Sequence, residues 1–235
     1  MNNLQKRIFT SFILSAVLLI CIFLNKYSFL ILVIIASIIC FFEFNNLAKK
    51  IWKKKESSIY FANVISSFYL IFFTYTAYEI YKISLTSIIL ILLICIFTDI
   101  GGYVVGKSIG GRKLTKISPN KTISGTIGSF LFSLIPIIII MGFHNVNFFN
   151  LETSFMMVNI FLCLSCSLIC QMGDLFISYI KRKAKIKDTG NILPGHGGFL
   201  DRVDGIIFAV PFVFIYHNGL NAYFDKFKFY FDKLV

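Results

Sequence analysis

The sequence predicts an all-α, polytopic integral membrane protein with about seven transmembrane helices (roughly six to nine). The chain has 235 residues, of which 57% are hydrophobic and 14% charged, and its mean hydropathy is +0.80. That composition is too apolar for an ordinary soluble domain. The apolar residues also form runs of about 18 or more, the length that crosses a bilayer as a helix. Because hydrocarbon offers no partners to backbone amides, these runs are predicted to be helices rather than strands.

Hydropathy windows place the predicted spans at residues 8–25, 28–48, 59–80, 84–105, 123–142, 153–174 and 203–223. The first span follows Lys6 and Arg7 and resembles a signal peptide, but no small-x-small cleavage site follows it, so we expect it to be retained. Basic segments then separate the second span from the third (49–55), the fourth from the fifth (107–121) and the sixth from the seventh (181–202).

The basic residues test this order of spans, because Lys and Arg collect on the cytoplasmic side of membrane proteins. With the N-terminus inside, 18 of the 23 basic residues fall in cytoplasmic segments and 5 fall outside. The net charge of +12 is therefore interpreted as a sidedness signal, and it requires no nucleic-acid partner.

The chain is predicted to form a single integral membrane domain over residues 1–235. Within it, residues 1–95 are assigned to N-terminal transmembrane helices and residues 96–223 to a catalytic membrane region with two cytoplasmic loops, 106–122 and 181–202. The six cysteines all lie in apolar segments, where they are interpreted as helix filler. Cys163 and Cys166 form a CxxC pair, but no second pair follows at zinc spacing.

The first polar region, TDIGGYVVGKSIGGRKLTKISPNKTISGT, covers residues 98–126. Asp99 lies near the membrane end of a span, and the glycines that follow allow close approach of the backbone to an anion or to another helix. Lys107 and Lys121 add positive charge, while Ser118 and Thr122 add hydroxyls, so the region has the chemistry of a phosphate cradle. The alternative is a glycine-rich helix-packing surface followed by a solvated basic loop.

The second polar region is flanked by acids. Asp174 lies at the cytoplasmic end of one span, and Asp201 and Asp204 share a face at the start of the next. Carboxylates collected at a membrane edge repel one another unless they are protonated or bridged, and oxygen ligands favour a hard ion such as Mg²⁺. Intramembrane acids are usually functional. The alternative is that Asp201 caps a helix and pairs with Arg202.

Between these acids the chain supplies cations and a tight turn. Lys181, Arg182, Lys187 and Arg202 can bind anions, and the turn PGHGG can hold His196 against a ligand. A metal held by carboxylates, with Lys and Arg clamps, suits phosphoryl or nucleotidyl transfer. At a bilayer edge, such a site indicates one lipid substrate and one soluble nucleotide.

This second region resembles the signature of the phosphatidate cytidylyltransferases, also called CDP-diacylglycerol synthases. The matching positions, in order and spacing, are Ser178, Lys181, Arg182, Lys187, Asp188, Gly190, Leu193, Pro194, His196, Gly197, Gly198, Phe199, Asp201, Arg202 and Asp204. The upstream loop is similar to that of the family at Asp99, Gly102, Tyr103, Gly106, Lys107, Gly110, Ser118, Pro119, Lys121, Thr122 and Gly125. One departure is Ser124, where the family usually has an acid.

The resemblance implies that CTP and phosphatidic acid react to CDP-diacylglycerol and pyrophosphate, with Mg²⁺, in phospholipid biosynthesis at the cytoplasmic face of the bacterial inner membrane. It leaves open a second cation and a homodimer. Under it, we expect Asp174, Asp201 and Asp204 to bind the metal, and these three with Lys181 to be catalytic. The expected substrate-binding residues are Asp99, Lys107, Ser118, Lys121, Thr122, Arg182, Lys187, Asp188, His196, Gly197, Gly198 and Arg202.

Three other functions are weighed. A CTP-dependent polyprenol or phytol kinase also joins a lipid to CTP, but it phosphorylates a neutral alcohol whose proton must be removed. A membrane transporter would use intramembrane charge, yet it leaves the dense phosphate-binding loops unexplained. The segment DRVDG superficially suggests a CDP-alcohol phosphotransferase, but the further aspartates of that motif are missing.

Overall fold

The computed structural model describes residues 3–53, 55–115, 117–143, 153–195 and 197–219. In these ranges the chain forms eight helices. In chain order they are α1 (Asn3–Leu24), α2 (Lys26–Ile51), α3 (Glu56–Ile83), α4 (Leu85–Ile109), α5 (Ile123–Phe132), α6 (Ile135–Phe143), α7 (Thr153–Lys183) and α8 (Leu200–Gly219). No strand occurs in these ranges, which confirms the predicted all-α class.

Five helices are long and apolar enough to cross a membrane within the described ranges: α1, α2, α3, α4 and the 157–183 part of α7. They correspond to the first four predicted spans and the sixth, with bounds that differ by a few residues. Large apolar side chains on α1, such as Phe12 and Phe23, remain exposed at 70% and 64%. In a membrane these side chains contact lipid tails, so the chain is a polytopic integral membrane protein.

The predicted span 123–142 differs, because it forms two short helices instead of one. α5 ends at Phe132 and α6 begins at Ile135. Pro136 has no backbone N–H, so it cannot donate the helical hydrogen bond to the carbonyl of Phe132, four residues earlier. Its ring also crowds that turn. The backbone N–H of Ser133 instead closes the end of α5 on the carbonyl of Ser129.

The two polar loops are shorter than predicted, because the helices beside them are longer. α7 continues to Lys183 and α8 already begins at Leu200, so the connection between them is residues 184–199 rather than 181–202. Likewise α4 continues to Ile109, and the first loop is residues 110–122 rather than 106–122. The last predicted span, 203–223, falls on α8 as far as residue 219, and its end lies outside the described residues.

α8 packs mainly against α7 and α3, with further contacts to α4 and α2. Leu47, Ile94, Cys166 and Ala209 are completely buried in the shared core. All six cysteines are free thiols.

Glycines set the closest helix contacts. A Cβ on Gly173 of α7 would lie 2.7 Å from the carbonyl oxygen of Asp204, and a Cβ on Gly205 of α8 would collide with the sulfur of Cys170. Since real side chains do not tolerate such contacts, only glycine allows α7 and α8 to approach this closely. This approach places Asp174 beside Asp204.

Candidate active site

The C-terminal half of α7 presents one polar face. Asp174, Ser178 and Lys181 are four and three residues apart, so they lie above one another on the helix. The hydroxyl of Ser178 donates to Oδ1 of Asp174 at 3.3 Å. Helical geometry therefore aligns one predicted acid and one predicted cation along a single edge.

Two ion pairs connect this face to its neighbours. Lys121, from the loop between α4 and α5, pairs with Asp174. Lys181 pairs with Asp201 of α8 at 2.6 Å, and the two side chains are only 13% and 9% exposed. The structure thus brings both predicted loops to the same end of α7.

Three acids share this end of the bundle. The carboxylates of Asp99, Asp174 and Asp204, from α4, α7 and α8, are close enough to repel one another electrostatically. Lys121 and Arg202 lie near Asp99 and attract it. The site is therefore a mixed cluster of acids and cations, which is the composition needed to hold phosphate groups together with a metal ion.

Asp201 is held by protein donors on both oxygens. Its Oδ1 accepts from Lys181, while its Oδ2 accepts from the backbone N–H of Thr189 at 2.8 Å and from that of Gly198 at 3.3 Å. Asp201 therefore organises the loop before α8, and its assignment as a metal ligand stays a prediction. Arg202, its predicted alternative partner, lies near Asp99.

The remaining acids fit a magnesium ion that also has phosphate ligands. Within the described residues, no group of three or more His, Cys, Asp or Glu side chains is placed to hold a metal by itself. Mg²⁺ in nucleotide-dependent enzymes, however, takes only one or two carboxylates and completes its shell with phosphate oxygens and water. Asp174 and Asp204, on the closely packed α7 and α8, can supply that pair.

In the first loop, the glycines of α4 serve helix packing. A Cβ on Gly101 would lie 2.5 Å from the carbonyl oxygen of Gly128, and one on Gly102 would lie 2.7 Å from Oγ of Ser129. Of the two interpretations left open by the sequence, close contact with α5 therefore holds for this part of the region. Gly110, at φ +66, ends α4.

The start of α5 is closed by local hydrogen bonds. The hydroxyl of Thr122 accepts from the backbone N–H of Gly125 at 3.1 Å, so Thr122 is the N-cap of α5. Ser124 donates to the carbonyl of Gly110 and lies 3.0 Å from the Thr122 hydroxyl. Ser124, which stands where the family usually has an acid, thus links the end of α4 to the start of α5.

The other predicted residues of the first loop are less closely grouped. Ser118 is half-buried, and its carbonyl accepts from the backbone N–H of Lys121. Arg182 is exposed and donates to the carbonyl of Ile117 at 3.4 Å, which places it against this loop. Lys107 lies apart on the exposed surface of α4, where its amino group contacts the Tyr103 hydroxyl.

In the second loop, Lys187 and Asp188 are exposed. Gly197 adopts φ +85, and a Cβ there would lie 3.1 Å from the Cβ of Asp188. The backbones of Leu193 and Gly197 pair with each other, which closes the PGHGG turn. His196 lies outside the described residues, so its placement against a ligand remains a prediction.

The contacts that Glu43 and Arg7 make to this loop were missed from the sequence. Glu43, buried in α2, accepts three hydrogen bonds from residues 189–200. Arg7 of α1 donates to the carbonyl of Gly195 at 2.8 Å. Glu43 had a detectable signal, since it is an acid inside the predicted span 28–48, whereas nothing local marks Arg7.

One family model matches most of the chain. Residues 49–220 match the model of the cytidylyltransferase family. This range contains the α4–α5 loop, α7 and the start of α8, and hence all the acids and cations of the site.

Individual relatives carry a more specific name. A phosphatidate cytidylyltransferase of Rickettsia bellii (strain RML369-C) is 44% identical over 140 residues, which cover 56% of this chain and 58% of that protein. One of Bacillus subtilis (strain 168) is 44% identical over 121 residues, 50% of this chain and 42% of that protein. One of Helicobacter pylori (strain ATCC 700392 / 26695) is 38% identical over 137 residues, which cover 57% of this chain and 48% of that protein. The chain spans about half the length of the curated relatives it matches.

Proposed function

Because the chain belongs to the cytidylyltransferase family, we propose that it transfers the cytidylyl group of CTP to phosphatidic acid, forming CDP-diacylglycerol and pyrophosphate. The names of its relatives support this choice of substrates. The observation that carries the proposal is the joining of the α4–α5 loop and of the start of α8 to α7, through the pairs Lys121–Asp174 and Lys181–Asp201. These pairs collect anion-binding groups at the end of helices that cross the membrane, where a lipid phosphate and a soluble nucleotide can meet.

In the proposed reaction, a phosphate oxygen of phosphatidic acid attacks the α-phosphorus of CTP. The new P–O bond forms as the bond to the β-phosphate breaks, and pyrophosphate leaves with the electron pair. A phosphomonoester is already ionised near neutral pH, so the site needs no strong general base to activate this nucleophile.

The cations of the site would bind and orient the two phosphate-bearing substrates. Lys121, Lys181 and Arg182 surround the end of α7, and Arg202 lies on the first turn of α8. Charge-assisted donors of this kind stabilise the negative charge that spreads over the transferring phosphorus and the leaving group. Asp174 and Asp204 would hold a magnesium ion, whose positive charge would offset that of the phosphates.

The proposed location is the bacterial inner membrane, with the site facing the cytoplasm. The excess of Lys and Arg in the loops that carry the site supports this orientation. CTP is a cytosolic nucleotide, so a cytoplasmic site could reach it directly.

The test uses CTP labelled at two different phosphates. Purified protein in detergent is incubated with phosphatidic acid, Mg²⁺ and either α- or γ-labelled CTP. Cytidylyl transfer places the α-label in lipid and releases the γ-label as pyrophosphate. A lipid kinase acting on an added polyprenol or phytol would place the γ-label in lipid, and a transporter would label no lipid. Either of those outcomes would overturn the proposal.

A further inference from the structure

Glu43 is an acid buried in the membrane-spanning helix α2. Its side chain is 2% exposed. Oε1 accepts from the backbone N–H of Phe199 at 2.9 Å, and Oε2 accepts from that of Leu200 at 2.8 Å. Oε2 also lies 2.7 Å from the hydroxyl of Thr189. Both carboxylate oxygens are thus used by a single stretch of chain, the loop that leads into α8.

The two backbone donors belong to the beginning of α8. Amides at the start of a helix have no partner within the helix, and a carboxylate is favourable there because it also meets the positive end of the helix dipole. Glu43 supplies that carboxylate from a different helix. It therefore connects the N-terminal helices to the first turn of α8, which carries Asp201 and Asp204.

Two glycines of the loop fit closely around this carboxylate. A Cβ on Gly190 would lie 2.5 Å from Oε1 of Glu43, and one on Gly198 would lie 2.7 Å from Oε2. Neither position has room for a side chain, and at Gly198 the hydroxyl of Thr189 would collide with a Cβ as well. The backbone of this part of the loop therefore lies directly against the Glu43 carboxylate.

The hydroxyl of Thr189 joins Glu43 to the site itself. It lies 2.7 Å from Oε2 of Glu43 and 3.0 Å from Oδ2 of Asp201. Asp201 in turn pairs with Lys181. A continuous chain of contacts therefore runs from α2 to the cation at the end of α7.

From these contacts we infer that Glu43 is a positioning residue of the cytidylyl-transfer site: it holds residues 189–200 on α2 and thereby sets the places of Asp201 and Lys181. The effect of Glu43 on catalysis rests on the proposed function. The ordering of the loop by Glu43 rests only on the geometry of these contacts. Glu43 precedes the residues 49–220 that match the family model. With both oxygens occupied by protein donors, its role is to arrange other groups rather than to touch a substrate.

The experiment compares Glu43→Gln with Ser37→Ala in the full-length protein in detergent. Glutamine keeps the size of the side chain but replaces one acceptor oxygen with an amide donor. Ser37 is the matched control, because it is a buried polar residue of the same helix that contacts Thr74 at 2.8 Å, away from the loop. Amide hydrogen exchange and steady-state kinetics are measured for both variants.

Glu43→Gln is expected to speed exchange of at least one of the Phe199 and Leu200 amides, the one that loses its acceptor oxygen, by at least about tenfold, with the other helices unchanged. It should also raise KM for CTP at least about threefold and lower kcat/KM at least about tenfold, because small displacements of site groups are costly. A smaller fraction of folded protein cannot raise KM. Ser37→Ala should alter neither the exchange of the loop nor KM. Unchanged exchange at both amides in Glu43→Gln, or an unchanged KM, would overturn the inference.

If Glu43→Gln does not fold, Thr189→Val and Thr189→Ser decide the question. Valine keeps the shape of threonine but removes the bridging hydroxyl, so Thr189→Val should raise KM for CTP. Serine keeps the hydroxyl, so Thr189→Ser should keep KM at its wild-type value. Equal kinetics for the two variants would contradict the inference. If the wild-type protein lacks cytidylyl transfer, the proposed function fails, but the exchange data still show whether Glu43 orders the loop.

Discussion

At the residue scale, two cations of the site are paired with acids of the site. Lys181 pairs with Asp201 in a largely buried position, and Lys121 pairs with Asp174. Lys183, two residues after Lys181, instead lies 5.6 Å from the ring centre of Trp52, on the exposed side of α7. Neighbouring lysines on one helix thus have different surroundings, and we expect their substitutions to differ accordingly.

Lys181→Ala should lower kcat/KM for CTP by roughly 10²–10³, because it removes a charge from a shielded site where negative charge develops. It should also lower thermal stability, since Asp201 loses a buried partner. Lys183→Ala is the control and should change kcat/KM by less than about fivefold, as expected for an exposed charge. The assay is run in mixed micelles at two ionic strengths. Equal losses in the two variants would show an undifferentiated basic patch.

Asp204→Asn should abolish turnover at every Mg²⁺ concentration while leaving the fold intact. Asparagine has the same shape, and its carbonyl can still accept the 2.8 Å hydrogen bond from Gly205, but it removes one of the two carboxylates proposed to hold the ion. Chelation of Mg²⁺ by EDTA should likewise abolish wild-type turnover. Glu56→Gln, at an exposed acid in the first turn of α3, is the control. Near-wild-type activity of Asp204→Asn in a Mg²⁺ titration would exclude Asp204 as an essential ligand.

At the scale of elements, glycine contacts decide how the helices that carry the site meet. α4 and α5 touch through Gly101 and Gly128, and a Cβ on Gly128 would lie 2.5 Å from the Cβ of Val105. The loop between these helices carries Lys121 and ends at the N-cap Thr122. The distance between α4 and α5 therefore controls where Lys121 meets α7.

Gly128→Ala should push α5 away from α4, lower the thermal unfolding temperature in detergent, and reduce kcat/KM through the displaced Lys121. An overpacked methyl group typically costs about 1–3 kcal/mol. Gly219→Ala is the matched control, since nothing lies within 4 Å of a Cβ built there. Unfolding temperatures and kinetics equal to those of Gly219→Ala would mean that this contact relaxes without moving the site.

At the scale of the whole molecule, the arrangement of charge predicts how the protein sits in the membrane. The α1–α2 turn and the loop 184–199 are expected on opposite sides, since 18 of the 23 basic residues fall in segments on the side predicted for that loop. Thr189 is only 5% exposed, so a cysteine there would report burial rather than sidedness. Ile192 in the same loop is 52% exposed and is a suitable probe.

Ile192→Cys, in a background without the native cysteines, should resist a membrane-impermeant thiol reagent in intact cells and react after the cells are opened. Lys26→Cys, at the exposed start of α2, should react in intact cells. The measurement is the labelled fraction of each variant before and after permeabilisation. The reverse pattern would invert the predicted topology.

Some elements of this structure could be predicted from the sequence, and others could not. Long apolar runs predicted five of the helices, because the hydropathy of a span depends only on residues adjacent in the chain. The break in 123–142 was missed although Pro136 marks it, because the apolar run continues through the proline. The lengths of the polar loops were overestimated because charged residues such as Lys181 continue α7 beyond its apolar part.

The sequence by itself determined the all-α membrane fold, the concentration of basic residues in particular segments between the apolar runs, and the collection of acids and cations in two segments that resemble a known family. Only the tertiary structure decided which groups meet. It paired Lys121 with Asp174 and Lys181 with Asp201, directed the glycines of α4 to α5, and placed Glu43 under the loop that leads into α8. The reason is physical: hydropathy and net charge are local properties of the chain, whereas a hydrogen bond or ion pair requires distances of a few ångströms between residues that are far apart in sequence.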